Sequence, residues 1–558
     1  MLSTRMSLFT FFYYIIFSIV ILMVLPPVLL LILYSFLDIR IGQPLSILIP
    51  FKNHYINLFT DPINTNAIIN SLIVATFSSL IATTIAVILS WICAKTNAPL
   101  VRKMEPFVLL PISLSPFLYA LTWISLLDPY IGIISSLIKV KLFNIYSLEG
   151  LIFVTSLAAT PLAYIVIKPF FEQLDASLEE ASIISGANKL LTFRRITLGL
   201  ATPTIFSAYL LSFVWCMEEL GIPLMLAAPA GIPIASLRIY QLTLSWPPNH
   251  NLAAALAVVI MVINVLIYNV AQKIILRKRW TTVGLRGFRR DVLKLGRLKY
   301  VLTTVYLIVI SIASIAPLVS IMIQSFSSTY KVPSTMSELT LENINKVFSS
   351  PIAITSIGNS LTITPIGSLL LVFFVFMLGY IITRSEYRFR KILDILAMFP
   401  LSIPSIVVAL GIFIYFAYVL PTMIYTSVWA IMIGLCIRFV GHGLRAIVPS
   451  LQQIHPGLED AARMSGASQL KVIKDILLKI MVPALISTYT FLFIYFIREL
   501  PLSILLSTSK SMVWTAGIYS LWELGNVKIV FSFALLEIFL ILSVRYLGNY
   551  LTIRFRRW

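Results

Sequence analysis

The decapeptide LEEASIISGA, residues 178–187, recurs in the second half of the same chain as LEDAARMSGA, residues 458–467. Each copy combines two carboxylates with small residues and a glycine, whereas 59% of the whole chain is hydrophobic and only 11% is charged. Charged segments of this kind do not suit the interior of a lipid bilayer. The two copies therefore indicate a duplicated chain whose charged loops lie outside its apolar segments.

The composition is that of a polytopic, all-α membrane protein. The 558 residues have a mean hydropathy of +0.96 and few charges, whereas about a quarter of the residues in a soluble domain are charged. The net charge of +20 does not indicate a nucleic-acid-binding face, because the basic residues lie between long apolar stretches. We therefore expect a lipid bilayer as the environment and no nucleic acid as a partner.

Twelve stretches are long enough for a transmembrane helix, which takes about 20 residues. We expect the first to be retained, because its apolar stretch exceeds a signal-peptide core and lacks a small-residue cleavage pattern. The predicted spans lie near residues 11–35, 67–94, 106–127, 148–168, 201–227 and 252–276, and then near 300–325, 357–383, 392–418, 423–444, 482–506 and 527–551.

The basic residues predict the orientation of these spans. With a cytoplasmic N-terminus, 31 of the 42 Lys and Arg residues lie in cytoplasmic segments and nine lie in segments on the other side. Cytoplasmic loops of membrane proteins are enriched in Lys and Arg. We therefore expect a multi-pass protein of the cell membrane with both termini and both decapeptide loops in the cytoplasm.

The duplication extends beyond the decapeptides. Asn70 opens the second span and Asn359 opens the eighth, each within an Asn-Ser-Leu triplet. Pro203 follows the first decapeptide at the same interval as Pro483 follows the second. Because six spans separate equivalent points, we expect two parallel six-helix repeats related by a pseudo-twofold axis along the membrane normal.

The repeat predicts three segments. A first transmembrane half covers residues 1–276, and a second covers residues 300–558. Residues 277–299 form a strongly basic linker that is predicted to be cytoplasmic. The composition of this linker favours a topology anchor that contacts lipid headgroups over a specific regulatory site.

Each decapeptide loop has the pattern of a helix, a turn and a second helix. The carboxylates favour a helix start, and Gly186 and Gly466 favour its end. The segment after each glycine is amphipathic and cationic, and it leads into the next span. One interpretation is a pair of solvated interfacial helices. Two equivalent loops favour the other interpretation, which is docking onto a two-lobed partner.

These residues resemble the EAA loop of permease subunits in binding-protein-dependent ABC importers, in which a glycine follows six residues after the glutamate of Glu-Ala-Ala. Ser182 replaces the second alanine of the motif in the first copy, and Asp460 replaces its glutamate in the second. Gly199 and Lys479 stand after the motif at positions where the family usually has proline. The resemblance implies the type I ABC importer transmembrane fold and a loop that fits a groove on an ATPase subunit. The implied coupling residues are Glu180, Ala181, Gly186, Asp460, Ala461 and Gly466.

Within that family the chain resembles fused, two-half ferric-iron permeases. The similar stretches are residues 237–259, 278–289 and 498–506. The resemblance implies ferric iron as the transported solute, while permeases for thiamine, polyamine or phosphonate share the architecture. The cysteines and histidines lack metal-ligand spacing, so we expect no resident metal on this chain.

Four ionisable residues are predicted within spans at equivalent places in the two halves. Glu218 and Glu219 lie in the fifth span, and Arg498 and Glu499 lie in the eleventh. A rise of 1.5 Å per residue places them ~25 Å from the cytoplasmic end of the span. Ionisable groups at such depth pair with one another or face water. They are predicted to line a translocation pathway or, alternatively, to join the halves through a salt bridge of Arg498.

No GxxxxGK[ST] phosphate-binding loop occurs in the sequence, so we expect no enzymatic activity and no bound cofactor on this chain. The expected function is the permease subunit of an ATP-driven importer. A separate ATPase dimer would use ATP and Mg, and an extracytoplasmic binding protein would deliver the solute. A secondary transporter driven by an ion gradient is the alternative, because parallel repeats also build such proteins. A membrane scaffold or sensor is a third possibility.

Overall fold

The computed structural model describes residues 8–38, 41, 53–130, 132–138, 144–277, 293, 295–328, 338–386 and 388–556. Across these ranges the chain is predominantly helical and forms no β-strand. Most of the basic linker predicted at 277–299, including residues 278–292, lies outside the described residues.

Several helices of the first sequence half begin at a capping side chain. The Asp61 side chain accepts a hydrogen bond from the backbone N–H of Ile63 at the start of α3, and Pro62 occupies its first turn. A 3-10 turn covers Pro111–Ser113, and a π-helical turn covers Phe193–Thr197. The α-helices are α1 (Leu8–Phe36), α2 (His54–Thr60), α3 (Pro62–Lys95), α4 (Val101–Val108), α5 (Pro116–Leu127), α6 (Ile133–Ile138), α7 (Leu148–Gln173), α8 (Ala176–Ile184), α9 (Lys189–Thr192), α10 (Leu198–Glu218), α11 (Gly221–Leu226), α12 (Ala235–Leu244) and α13 (His250–Arg277).

The second sequence half repeats this order of helices. Ser350 caps α17 as Asp61 caps α3, and Pro351 occupies the first turn. A 3-10 turn at Phe399–Ser402 and a π-helical turn at Ile473–Leu477 correspond to those of the first half. The α-helices are α14 (Leu298–Ile310), α15 (Ala316–Phe326), α16 (Glu342–Ser349), α17 (Pro351–Arg384), α18 (Arg390–Met398), α19 (Ser405–Val419), α20 (Thr422–Tyr425), α21 (Val428–Gln453), α22 (Gly457–Met464), α23 (Gln469–Val472), α24 (Leu478–Ile497), α25 (Pro501–Leu506), α26 (Trp514–Glu523) and α27 (Val527–Arg556).

The predicted all-α membrane fold is confirmed. Among the described residues, 10 helices are long and apolar enough to cross a membrane, and two strongly bent helix pairs raise the number to as many as 12. These pairs are the predicted third and ninth spans. Pro111 and Pro400 lie in the 3-10 turns that interrupt them, and proline lacks the backbone N–H that a continuous helix needs. The bends are 105° between Val101–Ser113 and Pro116–Leu127, and 107° between Arg390–Leu401 and Ser405–Val419.

The chain packs as two compact units that do not follow the two sequence halves. One unit contains Leu58–Gln241 and Val259–Asn343. The other contains Met1–Asn57, Leu242–Val258 and Ile344–Trp558. Each unit therefore combines most of one half with the first spanning helix of the other. The repeat boundaries at 276 and 300 remain a prediction about the sequence duplication.

In the unit that contains most of the second half, α1 packs directly on α19. A Cβ added to Gly411 would lie 2.8 Å from the backbone oxygen of Pro27, so only glycine permits this close approach. Further along the same pair of helices, the hydroxyl oxygens of Tyr34 and Tyr418 lie 2.5 Å apart in a hydrogen bond. A helix from the first half of the sequence is thus part of this unit's core.

In the other unit, α14 and α15 pack against α4 and α5. The Tyr119 hydroxyl donates to the backbone oxygen of Ala313 at 2.8 Å, and the Ser314 hydroxyl donates to the backbone oxygen of Phe107 at 2.7 Å. These bonds satisfy buried polar groups within an apolar environment. They therefore hold a helix from the second half of the sequence in the core of this unit.

The Asn-Ser-Leu triplets make the same contact in both units. The amide of Asn70 donates to the backbone oxygen of Pro233 at 3.0 Å. The amide of Asn359 donates to the backbone oxygen of Met512 at 2.8 Å. Each bond ties the second span of its half to the loop before α12 or α26. Residues that are equivalent by sequence duplication are therefore also equivalent in local structure.

Candidate functional site

The two decapeptide loops fold as the sequence predicts, as a short helix, a turn and a second helix. In the first loop α8 ends at Ile184, and in the second α22 ends at Met464. Gly186 and Gly466 follow with φ of +91° and +82°, the left-handed conformation that L side chains rarely adopt. The glycines are therefore required by the sharp turn between the two helices of each loop.

Each loop presents a large apolar side chain at its turn. Ile184 is 86% exposed, and Met464, at the equivalent position of the second loop, is 90% exposed. Leu190 and Leu470 are also exposed at equivalent positions on the far side of the turn. We call residues 183–190 and 463–470 the docking tips. Equivalent exposed apolar groups in two loops that are predicted to be cytoplasmic indicate protein contact rather than lipid contact.

In the first loop, a buried carboxylate joins α8 to the spans; α8 and its equivalent α22 are called the docking helices below. Glu179 is 7% exposed. Its Oε2 lies 3.5 Å from Nζ of Lys95, the last residue of α3, and its Oε1 accepts a hydrogen bond of 2.6 Å from the hydroxyl of Thr197. Nζ of Lys95 also donates to the backbone oxygen of Leu174, just after α7, at 2.7 Å. One carboxylate thus connects α8 to the ends of several spanning helices.

The second loop repeats this arrangement with different side chains. Glu459 is 3% exposed, and its Oε1 lies 3.0 Å from Nε of Arg384, the last residue of α17. Nη2 of Arg384 donates to the backbone oxygen of Ile454, the equivalent of Leu174. The Tyr380 hydroxyl donates to Oε2 of Glu459 at 3.2 Å. The buried ion pair is therefore present in both halves, with Lys in one and Arg in the other.

The coupling residues predicted by resemblance lie on the surface of the loops. Ala181, Asp460 and Ala461 are exposed, and Glu180 is half-buried. Gly186 and Gly466 form the turns described above. The structure therefore brings each predicted set together within one loop. It also adds two kinds of residue that sequence reasoning did not select: the buried carboxylates at 179 and 459, and the apolar tips at 184 and 464. The constant offset between equivalent positions of the two decapeptides was the available signal for both.

The four predicted intramembrane charges lie where a long helix breaks. The sequence predicted continuous spans at 201–227 and 482–506. Instead α10 ends at Glu218, and α24 ends at Ile497, directly before Arg498. In each half a short helix follows closely after the break. All four charged side chains are half-buried. Because the long helices end at these residues, the charges do not lie on an unbroken helix face.

A carboxylate at the first break caps the short helix that follows. Glu219 Oε1 accepts a hydrogen bond of 2.6 Å from the backbone N–H of Gly221. Glu499 stands at the equivalent place, two residues before the short helix α25 (Pro501–Leu506). The bond of Glu219 gives that carboxylate a structural role beside any role in transport. The two pairs of charges belong to different compact units, so their proximity across a pseudo-twofold axis remains a prediction.

Further charged groups gather near Arg498 within its unit. The guanidinium carbon of Arg498 lies 4.5 Å from the centre of the Tyr495 ring. Arg438 is 4% exposed, and both arginines act electrostatically on Glu499. Glu537 is fully buried and within electrostatic range of Arg498. Arg438 lies in α21 and Glu537 lies in α27. The structure assigns them to a cluster of mixed charge around the second helix break.

Comparison with known proteins gives a family match in both halves. The family model described as "Binding-protein-dependent transport system inner membrane component" matches residues 86–281 and again 375–557. Each match contains one decapeptide loop and one helix break. The family pattern therefore covers the same duplicated elements that the structure describes.

Individual relatives are distant in sequence. A ferric transport system permease protein of Actinobacillus pleuropneumoniae is 24% identical over 406 residues, which cover 72% of this chain and 58% of the relative. A putative ferric transport system permease protein of Haemophilus influenzae is 23% identical over 468 residues, which cover 82% of this chain and 72% of the relative. The chain thus spans little more than half the length of the first of these relatives.

A solved structure with a partial match is a chain of a bacterial ABC transporter involved in the import of the acidic polysaccharide alginate. The TM-score is 0.38 at 18% identity, and the match covers 46% of this chain and 96% of that chain. The family match itself extends over more than half of the sequence. The protein therefore belongs to the family of binding-protein-dependent transport system inner membrane components.

Proposed function

We propose that this chain is the membrane-spanning permease subunit of an ATP-driven importer in the cell membrane. It would move a solute from an extracytoplasmic binding protein into the cytoplasm. The observation that carries the proposal is the pair of equivalent docking tips. In each of them an apolar side chain, Ile184 or Met464, is exposed at a glycine turn. Membership of the family supports the same function.

Two tips on one chain suit a partner with two equivalent binding grooves. An ATPase dimer has such grooves, because each of its subunits presents the same surface. The sequence of this chain contains no GxxxxGK[ST] phosphate-binding loop. ATP and Mg would therefore be bound by the ATPase subunits, and the loops of this chain would convert their closure into a change of access to the pathway.

A secondary transporter would not need these features. Transport driven by an ion gradient requires alternating access but no soluble motor. It gives no reason for two apolar side chains of at least 86% exposure at equivalent turns. A membrane scaffold likewise gives no reason for a cluster of charges at a helix break. The ATP-driven importer accounts for both features.

We propose ferric iron as the solute. The support comes from the two relatives that are named as ferric transport system permeases, each about a quarter identical to this chain. The helix break of each half supplies carboxylates, at Glu219 and Glu499, and oxygen ligands of this kind suit a hard, highly charged cation or its complexes. Thiamine, polyamine and phosphonate are the competing solutes.

The substrate proposal predicts selective stimulation of the ATPase. The complex of this chain with its ATPase, reconstituted in liposomes, should hydrolyse ATP at least about fivefold faster with an iron-loaded ferric binding protein, the lower end of typical coupling between sites. The same binding protein without iron is the control. Stimulation only by a binding protein loaded with another solute would reject ferric iron but retain the importer.

A further inference from the structure

We propose that Glu179 and Glu459 are positioning residues that make each docking helix move as one body with the ends of the spans. The ion pairs Lys95–Glu179 and Arg384–Glu459 are called the anchor pairs below. The inference rests on the proposed function, because it concerns how motion at the docking tips reaches the membrane. It assigns to these carboxylates a task separate from contact with the ATPase.

Burial separates the anchor pairs from the docking surface. Glu179 and Glu459 are 7% and 3% exposed, whereas the tips at Ile184 and Met464 are almost fully exposed. A helix places residues five positions apart on different parts of its circumference. Each docking helix therefore has an outer part for a partner and an inner carboxylate for the spans.

The first anchor pair connects elements that helix packing does not join closely. α8 packs along residues 189–197, which follow it in sequence. Its connection to the end of α3 runs through the side chains of Glu179 and Lys95. Lys95 also donates to the backbone oxygen of Leu174, so the same ammonium group holds the end of α7. A displacement of α8 is therefore transmitted through Lys95 to the ends of both α3 and α7.

The second anchor pair makes the equivalent connection for α22. Arg384 ends α17 and contacts the Glu459 carboxylate at 3.0 Å. Its guanidinium also donates to the backbone oxygen of Leu451, near the end of α21, at 2.9 Å. Arg463, four residues along α22, adds a longer contact of 3.7 Å to the same carboxylate. The second docking helix is thus linked to the same two spans of its half as the first.

Lys95 and Arg384 stand at equivalent positions of the two halves, and the exchange between them indicates which property of this position both halves have kept. Lys95 and Arg384 differ in shape and in number of donors, yet both place a cation on the buried glutamate and on a backbone oxygen after the preceding span. The retained property is therefore the charge pair at the joint of docking helix and spans. A buried charge left without its partner is strongly unfavourable, so the joint resists opening during the transport cycle.

The test uses the complete complex in liposomes with Glu179→Gln, Glu459→Gln and the double variant. Gln keeps a side-chain oxygen for Thr197 or Tyr380 but removes the charge. We expect the double variant to retain the ATPase on purification and to transport at least about fivefold less solute per ATP hydrolysed, the lower end of typical coupling between sites. Glu386→Gln, an exposed carboxylate near the end of α17, is the matched control and should keep the wild-type ratio.

A reversed pair distinguishes coupling from folding. Lys95→Glu alone should transport less solute per ATP hydrolysed than the wild type. Combining it with Glu179→Lys restores opposite charges, so the paired variant should recover part of that loss. An unchanged ratio in the double Gln variant would overturn the proposal. Loss of the ATPase from that variant would also overturn it, because the carboxylates would then serve docking. Absence of the ATPase from the wild-type complex would instead reject the proposed function.

A distance measurement avoids any change to the anchor pairs. Spin labels at the exposed positions Ser177, at the start of α8, and Asn97, just after α3, report the separation of docking helix and span end. We expect the same distance distribution without nucleotide and with ATP bound. A different distribution in the two states would show that α8 moves relative to α3 and would overturn the proposal.

Discussion

Replacement of both Ile184 and Met464 by Asp is expected to release the ATPase from the complex. These side chains are 86% and 90% exposed in the free chain and are the most exposed apolar groups at the two turns. An apolar anchor at the centre of an interface contributes about 2 kcal/mol or more. Loss of two anchors to a dimeric partner therefore weakens binding at least ~1,000-fold. Co-purification of the ATPase with tagged permease measures the effect.

The control for this experiment is Met423→Asp. Met423 is 88% exposed, but it lies in the short helix α20 before α21, which is predicted to be on the opposite side of the membrane from the decapeptide loops. This variant should keep the ATPase at the wild-type level. Single variants at the tips should each keep part of the binding, because one tip remains. Full retention of the ATPase by the double tip variant would reject both loops as the docking surface.

The double variant Glu219→Ala and Glu499→Ala is expected to lose solute uptake and retain the ATPase. Each carboxylate lies at a helix break, and Glu219 also caps the short helix that follows. Removal of both takes away the charges that are proposed to line the pathway and the cap at the first break. We expect uptake to fall more than ~10-fold, which corresponds to a loss of about 1.4 kcal/mol in the limiting step. Uptake of labelled solute into proteoliposomes measures it.

The matched pair Glu219→Gln and Glu499→Gln separates the two roles of these carboxylates. Gln keeps an oxygen that accepts the capping hydrogen bond but carries no charge. We expect this variant to be impaired as well, because the charge is proposed to serve the pathway. Normal uptake by the Gln variant with loss in the Ala variant would identify capping as the only role. Normal uptake by the Ala variant would remove both residues from the pathway.

The spanning helices and their duplication could be predicted from the sequence, because hydropathy and repeat spacing are local properties. The two bends could not be placed, since the apolar stretches 106–127 and 392–418 continue through them and a proline in an apolar helix does not fix an angle. The packing of α1 in the unit that contains most of the second half could not be predicted either. A helix of mostly apolar residues carries no face that identifies its partner.

Within the candidate site, the sequence located the loops but did not show which of their carboxylates is buried in an ion pair and which lies at the surface. Glu179 and Glu180 are adjacent and chemically alike, and only the fold shows that Glu179 faces Lys95 while Glu180 is half-buried at the surface. The ion pair joins residues 84 positions apart, a distance that no local pattern reports. The cluster around Arg498 was missed for the same reason, because its members come from separate helices.

The stoichiometry of the purified complex is the most direct measurement of whether this chain is a permease with two docking loops. Native mass spectrometry of the complex extracted from membranes should show one copy of this chain with two ATPase subunits. Addition of ATP should leave that ratio unchanged, because both tips stay engaged. A complex with a single ATPase subunit, or this chain alone with full transport activity, would contradict the two-loop mechanism.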